Sequence, residues 1–461
     1  MTDASLVAGE RPAVRDPRND VLAHTWAGHP RGAFLVAFTE LWERFSYWGL
    51  AGLLVLFLTA PTETGGWGWE HATAVKFYGW YGGLAFVLPV LGAWLANNFL
   101  GERRCILWGG VSIALGHALL AAPALLEQPY QIESPIFLLG LLCIVCGTGL
   151  LKPTISSIIA HLYPAGGTRR DDAFAWFFIA IYIGAFFGAL VPGVLGERVG
   201  WHYGLGAAGA GMVVGLACYV ALQGAWLGDI GNEPVKRAAA TRAAPRLTRE
   251  EWHRIAVIAI QGAFTVCYAA GFYQMFGFLN LYAHEELDRT VGAFEIPTTW
   301  MQTISLLSFF VCVPALSALW RRLAARGRNP SASYKLALGL GALACGYLVI
   351  AYAEGVHGAG KPFVLWLVAT YVLFGLGDAF VWANQVSLTS KLAPPRYSAL
   401  FIGAWYICIG LGTWLTGYVG ALAQHHSFRN VFLGLAAGCA SAALMLALFT
   451  PALRRWMHGA E

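Results

Sequence analysis

Gly32 to Leu58 reads GAFLVAFTELWERFSYWGLAGLLVLFL. About 20 apolar residues suffice to cross a bilayer as a helix, and this stretch is longer than that. Near its middle it carries Glu40, Glu43 and Arg44. At helical spacing Glu40, Glu43, Arg44 and Tyr47 are i, i+3, i+4 and i+7, so they share one face. Ionisable side chains inside a membrane span are costly. They face a protein interior or a watery cavity and mark a path for substrate, ions or protons.

The rest of the chain has the composition this stretch demands. It has 461 residues, 57 % hydrophobic and 12 % charged, with a mean hydropathy of +0.58. A soluble protein carries roughly 25 % charge. The 55 glycines and 19 tryptophans suit membrane helices, because glycine permits close helix approach and tryptophan collects at the interfaces. The net charge of +5 is no sign of nucleic acid. The nine cysteines lie in or beside apolar segments and make a disulfide framework unexpected. Cys143-x-x-Cys146 sits mid-span without a His or Cys partner pair and reads as helix packing. No cleavable signal peptide is visible; residues 1–31, with Arg11, Arg15, Arg18 and Arg31, read as a loose cytosolic tail.

Twelve apolar stretches are long enough to span, at about 32–58, 75–99, 104–125, 135–162, 173–196, 203–227, 252–283, 298–320, 334–354, 362–386, 397–423 and 429–452. The loops test this count, since basic residues gather on the cytosolic side. Arg103 and Arg104 follow span 2, Arg169 and Arg170 follow span 4, and Arg321 and Arg322 follow span 8. Lys391 follows span 10, and Arg454 and Arg455 follow span 12. The alternate loops are poor in basic residues: Glu63 and Glu70, then Glu127 and Glu133, then Glu285, Glu286, Asp288 and Glu295 with only Arg289. Both termini are therefore expected in the cytosol. The longest internal polar stretch, 228–251, follows span 6 and reads as a linker. The expected domains are a tail (1–31), a six-helix bundle (32–227), the linker, a second bundle (252–453) and a tail (454–461). This all-α, six-plus-six layout resembles the major facilitator superfamily, in which two bundles enclose a midplane site.

Five groups of residues carry a closer resemblance. Phe38-Thr-Glu-Leu-Trp-Glu-Arg-Phe-Ser-Tyr-Trp-Gly49 is similar to the E-x-x-E-R-F-x-Y-Y-G motif of the proton-dependent oligopeptide transporter family, also called POT or PTR. Gly149-Leu-Leu-Lys-Pro-Thr-Ile-Ser-Ser157 resembles its span-4 G-x-x-K-P-N-I-S. Phe177-Phe-Ile-Ala-Ile-Tyr-Ile-Gly184 and Gly196-Glu-Arg-Val-Gly-Trp-His-Tyr-Gly204 resemble F-Y-x-x-I-N-x-G and G-E-x-x-G-W-H-Y-G. Leu279-Asn-Leu-Tyr-Ala283 with Asp288-Arg289 resembles the end of span 7. Ser387-Leu-Thr-Ser-Lys-Leu-Ala-Pro394 and Gly403-Ala-Trp-Tyr406 resemble spans 10 and 11. The matches run in order from about 32 to 420.

A buried carboxylate beside a cation stays ionised and can take a proton when the cation moves away. Glu40, Glu43 and Arg44 therefore read either as a proton switch or as a static buried ion pair between spans 1 and 4. The resemblance implies the switch, with Arg44 also near a substrate carboxylate. Lys152, deep in span 4, needs an acid partner, and Asp378 is the acid deep in span 10. The family pairs this lysine with a span-10 Glu as an inner gate, which makes Lys152–Asp378 the expected gate and Asp378 a further proton carrier. Pairing of Lys152 with Glu40 or Glu43 is the alternative. Tyr47, Trp48, Tyr182, Tyr273, Gln274, Ser305 and Trp405 stand at expected substrate-facing positions.

The chain departs from the family where a peptide amine would bind. Tyr273 stands where peptide-transporting members usually have Glu before Gln274. Gly49-Leu-Ala-Gly52 lacks the Arg that often follows the span-1 motif. Tyr182 replaces an Asn, and Ser305-Leu306 replaces Asn-Pro. Asn97 to Arg104 replaces the usual Asp-Arg-x-x-Gly-x-Arg-Arg loop. With the outer charge pair missing, Tyr273 and nearby aromatics are expected to close the outer gate by packing. The two extra helices that many bacterial members carry between their halves are also missing.

The resemblance implies a proton-coupled symporter for di-/tripeptides or peptide-like molecules, in a bacterial inner membrane. The alternative substrate is a carboxylate or anion without a peptide amine. No H-E-x-x-H, G-x-S-x-G or metal-spaced histidine cluster points to an enzyme. A channel does not fit charges arranged in pairs rather than rings, and a non-transporting sensor is the remaining alternative. No cofactor, metal or nucleic-acid partner is expected; protons, lipid and a small substrate are, with the chain as a monomer.

Overall fold

The computed structural model describes residues 25–126, 135–163, 168–234, 247–357, 360–394 and 397–459. The remainder includes the first 24 residues, the loop acids Glu127 and Glu133, and the centre of the linker at 235–246. Among the described residues, 12 helices are long and apolar enough to cross a membrane. Spans 1 to 6 are Arg31–Thr59, His71–Leu95, Glu102–Leu126, Pro135–His161, Thr168–Arg198 and Trp201–Leu227. Span 7 runs from Arg249 to Glu285. Spans 8 to 12 are Gln302–Ala325, Ala332–His357, Leu365–Leu392, Ser398–Ala421 and Phe428–Met457.

Spans 1–6 pack among themselves, as do spans 7–12, and span 2 lies along span 11 and span 5 against span 8 to form the seam. Within the first half, glycine sets the closeness. A Cβ on Gly184 of span 5 would lie 2.0 Å from the Leu41 carbonyl oxygen of span 1. A Cβ on Gly92 of span 2 would lie 1.9 Å from the carbonyl oxygen of Gly149 in span 4. Lipid provides no hydrophobic drive between helices, so such backbone contact carries the packing. It fixes span 1, the carrier of the charged face, against span 5, and span 2 against span 4.

Two findings differ from the sequence reading. The tail is not loose throughout: β1 (Thr25–Trp26) pairs with β2 (His29–Pro30) in a hairpin that leads straight into span 1. Its turn uses Ala27 and Gly28 at φ 45° and 80°, the left-handed pair a two-residue hairpin requires. His29 Nδ1 lies 3.0 Å from the Tyr163 hydroxyl beyond the end of span 4. Burial pushes that phenol up to about 12, so it stays neutral at physiological pH.

The second difference is in span 7, which is discontinuous. An α-helix ends at Phe272, a tight 3-10 turn covers Tyr273–Phe276, and a new helix runs from Phe278 to Glu285. Side chains recover the backbone groups that the break frees, as membrane interiors require. Gln302 Nε2 donates to the Met275 carbonyl at 3.3 Å, and the Tyr347 hydroxyl donates to the Gly271 carbonyl in the last turn of the first helix at 2.6 Å. The side chains through the break are uniformly apolar or aromatic apart from Gln274, so the hydrophobic run hides it.

Candidate functional site

The charged turn of span 1 is held from behind and faces the centre. Arg44 Nε lies 3.1 Å from Glu40 Oε1, and the guanidinium also contacts the Glu43 carboxylate. All three side chains are buried, Glu43 to 1 % exposure. One arginine thus serves two acids, which its planar fork permits. On the rear flank, Ser46 Oγ lies 2.6 Å from His117 Nε2 of span 3, while His117 Nδ1 faces the Leu205 carbonyl of span 6 at 3.0 Å. That second contact requires a proton on Nδ1, which leaves Nε2 to accept from the serine.

Lys152 completes the first half's side of the site. Its Nζ lies 4.3 Å from the ring centre of Phe86, 5.8 Å from Tyr406 and 6.0 Å from Tyr47. Arg44 lies 5.3 Å from the Tyr47 ring. Lys152 is within electrostatic range of Arg44, Glu43 and Glu40. Two cations and two carboxylates therefore share one aromatic-walled space, with the lysine resting on ring faces. Among the described residues no ion pair within 4.0 Å joins Lys152 to any acid, so neither expected partner is engaged in this conformation.

Across the seam, Asp378 is buried in span 10 and accepts from the Tyr268 hydroxyl at 3.3 Å. Trp382, one turn on, packs edge-to-face with Trp405 at 5.1 Å. Tyr273 lies edge-on to Phe86 at 5.2 Å, which places the break of span 7 directly against span 2. Trp48 packs edge-on to Phe276 at 5.0 Å. Arg44, Tyr47, Lys152, Tyr273 and Asp378 thus border the middle of the seam.

Three sequence-selected residues are engaged elsewhere. Gln274 is fully buried on the backbone of span 11. The Ser305 hydroxyl donates to the Gln302 carbonyl of its own helix at 2.8 Å. Tyr182 stacks on Phe309 at 4.6 Å and builds the span 5/span 8 seam. Phe86, Tyr268 and Tyr406 escaped the sequence reading. Tyr406 adjoins Trp405 in a matched motif, but nothing singles Phe86 or Tyr268 out among the 14 % of aromatic residues.

The end of the seam that carries the acidic loops is closed. Asn280 Nδ2 donates to the Gly52 carbonyl at 2.8 Å. Trp300 Nε1 donates to the Leu190 carbonyl at 3.1 Å. His71 Nε2 lies 3.0 Å from Glu285 Oε1. Glu197, at the end of span 5, accepts from the backbone of Thr298 and Thr299. A cavity of about 390 Å³ at this end, beside Trp69, His71, Phe278 and Phe428, contains none of the core cluster's charges. Among the described residues no group of three or more metal-ligating side chains occurs.

The arrangement has clear counterparts. The family model described as POT family matches residues 103–228 and 229–435. The peptide transporter YePEPT of Yersinia enterocolitica is 29 % identical over 95 % of this chain and 97 % of its own. A di-/tripeptide transporter of Lactococcus lactis subsp. cremoris is 28 % identical over 83 % of this chain and 87 % of its own. A crystal structure of a peptide transporter POT in complex with alafosfalin superposes with a TM-score of 0.87, at 27 % identity, over 96 % of this chain and 99 % of the other.

Proposed function

The chain belongs to the POT family, and from that premise we propose that it imports di-/tripeptides or peptide-like molecules with protons by alternating access. It is a multi-pass membrane protein with the major facilitator fold, in a family of transporters rather than enzymes. The positive-inside pattern supports cytosolic termini and an acidic-loop end that faces outward, in a bacterial inner membrane. The conformation is then closed to the outside.

One observation carries the reading: a buried Arg44 shared by Glu40 and Glu43, with Lys152 beside it and in no ion pair with a described acid. A substrate carboxylate that enters this space finds Lys152 available at once. It draws Arg44 from its acids, which then favour binding protons. Protonation and carboxylate binding are thereby linked through one guanidinium. Asp378, held by Tyr268 on the other half, is the acid suited to a substrate amine or to a second proton. When the halves close on the cytosolic side, Lys152 and Asp378 form the inner gate, and protonation of Asp378 releases it.

Tyr273 in place of an acid favours a second reading, a carboxylate without an amine. Uptake of a radiolabelled dipeptide and of its des-amino analogue into proteoliposomes under an inward proton gradient separates the two. Accumulation of the dipeptide alone supports the peptide reading. Accumulation of the des-amino acid alone transfers the assignment to carboxylates, and transport of neither refutes both.

A further inference from the structure

One carboxylate makes several bonds across the outer closure. Glu197 belongs to the first half, yet its hydrogen bonds go to the second, to the 3-10 turn Thr298–Met301 that leads directly into span 8. Glu197 Oε2 accepts from the Thr298 backbone N–H at 2.8 Å. Glu197 Oε1 accepts from the Thr299 N–H and the Thr299 hydroxyl, each at 3.1 Å. These N–H groups open a helical segment that runs from Thr298 to Ala325. The first N–H groups of a helix have no partner within it, and its N-terminus favours negative charge. Thr298 follows Pro297 and its own hydroxyl faces His284 Nδ1 at 2.9 Å, so the helix has no side-chain cap of its own. Glu197 is its cap, supplied from the opposite half.

A cation supports the cap. Arg289 Nη1 lies 3.9 Å from Glu197 Oε2, and both side chains are 7 % exposed. Arg289 is fixed on the second half by the Ile296 carbonyl at 2.6 Å and Glu295 at 2.8 Å. The seam here is tight: a Cβ on Gly193, one turn before Glu197, would lie 1.8 Å from Thr299 Oγ1. Arg198 Nη2 donates to the Glu295 carbonyl at 2.5 Å. By contrast, spans 1 and 7 meet at this end through the neutral Asn280–Gly52 bond.

We infer that Glu197 is the latch of the outer gate, a positioning residue that holds spans 5 and 8 together by capping span 8 across the seam. The latch is reversible because water replaces each of its bonds when the gate opens, so the net strength of each is modest. The inference goes beyond the substrate assignment, and its test needs no substrate, so its failure leaves that assignment standing.

The test is single-molecule fluorescence transfer in proteoliposomes. Dyes are attached through non-canonical residues at Glu63 and Val291, which are exposed on opposite halves at this end. Glu197→Gln removes the charge and turns an amide N–H₂ toward N–H donors. It is expected to raise the ratio of widely to closely separated molecules by roughly tenfold, the equivalent of one charge-assisted hydrogen bond. Thr299→Val, which removes one arm and no charge, is expected to raise it a few-fold. An unchanged distribution for monodisperse Glu197→Gln overturns the latch. If that variant does not yield folded protein, Thr299→Val decides by the same criterion.

Discussion

Arg44→Lys keeps the charge of span 1 and removes the geometry. In the structure the guanidinium reaches Glu40 through Nε at 3.1 Å while it contacts Glu43. Their side chains are 4 % and 1 % exposed. A lysine ammonium is a single compact charge and cannot bridge two carboxylates as a fork does. One acid therefore loses its partner in a buried place, a change that costs about 3–5 kcal/mol. The stranded carboxylate avoids that cost only by holding a proton, and releasing the proton during the transport cycle meets the cost again. At about 1.4 kcal/mol per tenfold, proton-driven initial uptake should fall by roughly a hundredfold or more. The assay is radiolabelled dipeptide uptake into proteoliposomes, with the variant shown to be monodisperse and correctly inserted. Lys152 is unchanged in the variant, so a lost carboxylate contact alone would appear as weaker binding that excess substrate repairs. Uptake within twofold of the parent at saturating substrate would refute the shared-arginine reasoning.

Asp378→Asn should abolish uphill accumulation while it leaves exchange between labelled and unlabelled substrate; accumulation equal to the parent would remove Asp378 from proton coupling. Gly184→Ala should place a methyl group 2.0 Å from the Leu41 carbonyl, and overpacking of that kind costs about 1–3 kcal/mol. A lowered thermal unfolding temperature in detergent is expected, and an unchanged one would mean that spans 1 and 5 are not in backbone contact there. Lys152→Gln should weaken competition by a des-amino dipeptide analogue, since the cation awaiting a carboxylate is gone; equal competition would place the carboxylate elsewhere.

The spans were legible because lipid imposes a simple demand: long apolar runs with basic and acidic ends in alternation. The charged face of span 1 was legible for the same reason, since three ionisable residues in such a run can lie only against protein or water, never against lipid tails. The break in span 7 was not, because Tyr273, Met275 and Phe276 are as apolar as a continuous helix requires and the backbone is repaired by Gln302 and Tyr347 from a distance. The partner of Lys152 was not legible either. The proposed pairing with Asp378 belongs to another state of the cycle, and that state is not written in the chain. Gln274 and Ser305 stood at substrate-facing positions by resemblance, yet their polar groups satisfy helix backbone. Glu197 lay in plain view within Gly196-Glu-Arg-Val-Gly, but its meaning depends on Thr298 and Thr299, about a hundred residues on, which only the folded seam brings to it.

In the proposed mechanism, proton and substrate binding meet at Glu43 and Arg44. The direct measurement is acidification inside proteoliposomes, read with an enclosed pH-sensitive dye, when dipeptide is added outside under an inside-negative potential. The parent should acidify with dipeptide, and Glu43→Gln should show no substrate-dependent acidification while it still exchanges labelled for unlabelled dipeptide. Substrate-dependent acidification by Glu43→Gln equal to the parent's would show that Glu43 does not carry the coupled proton.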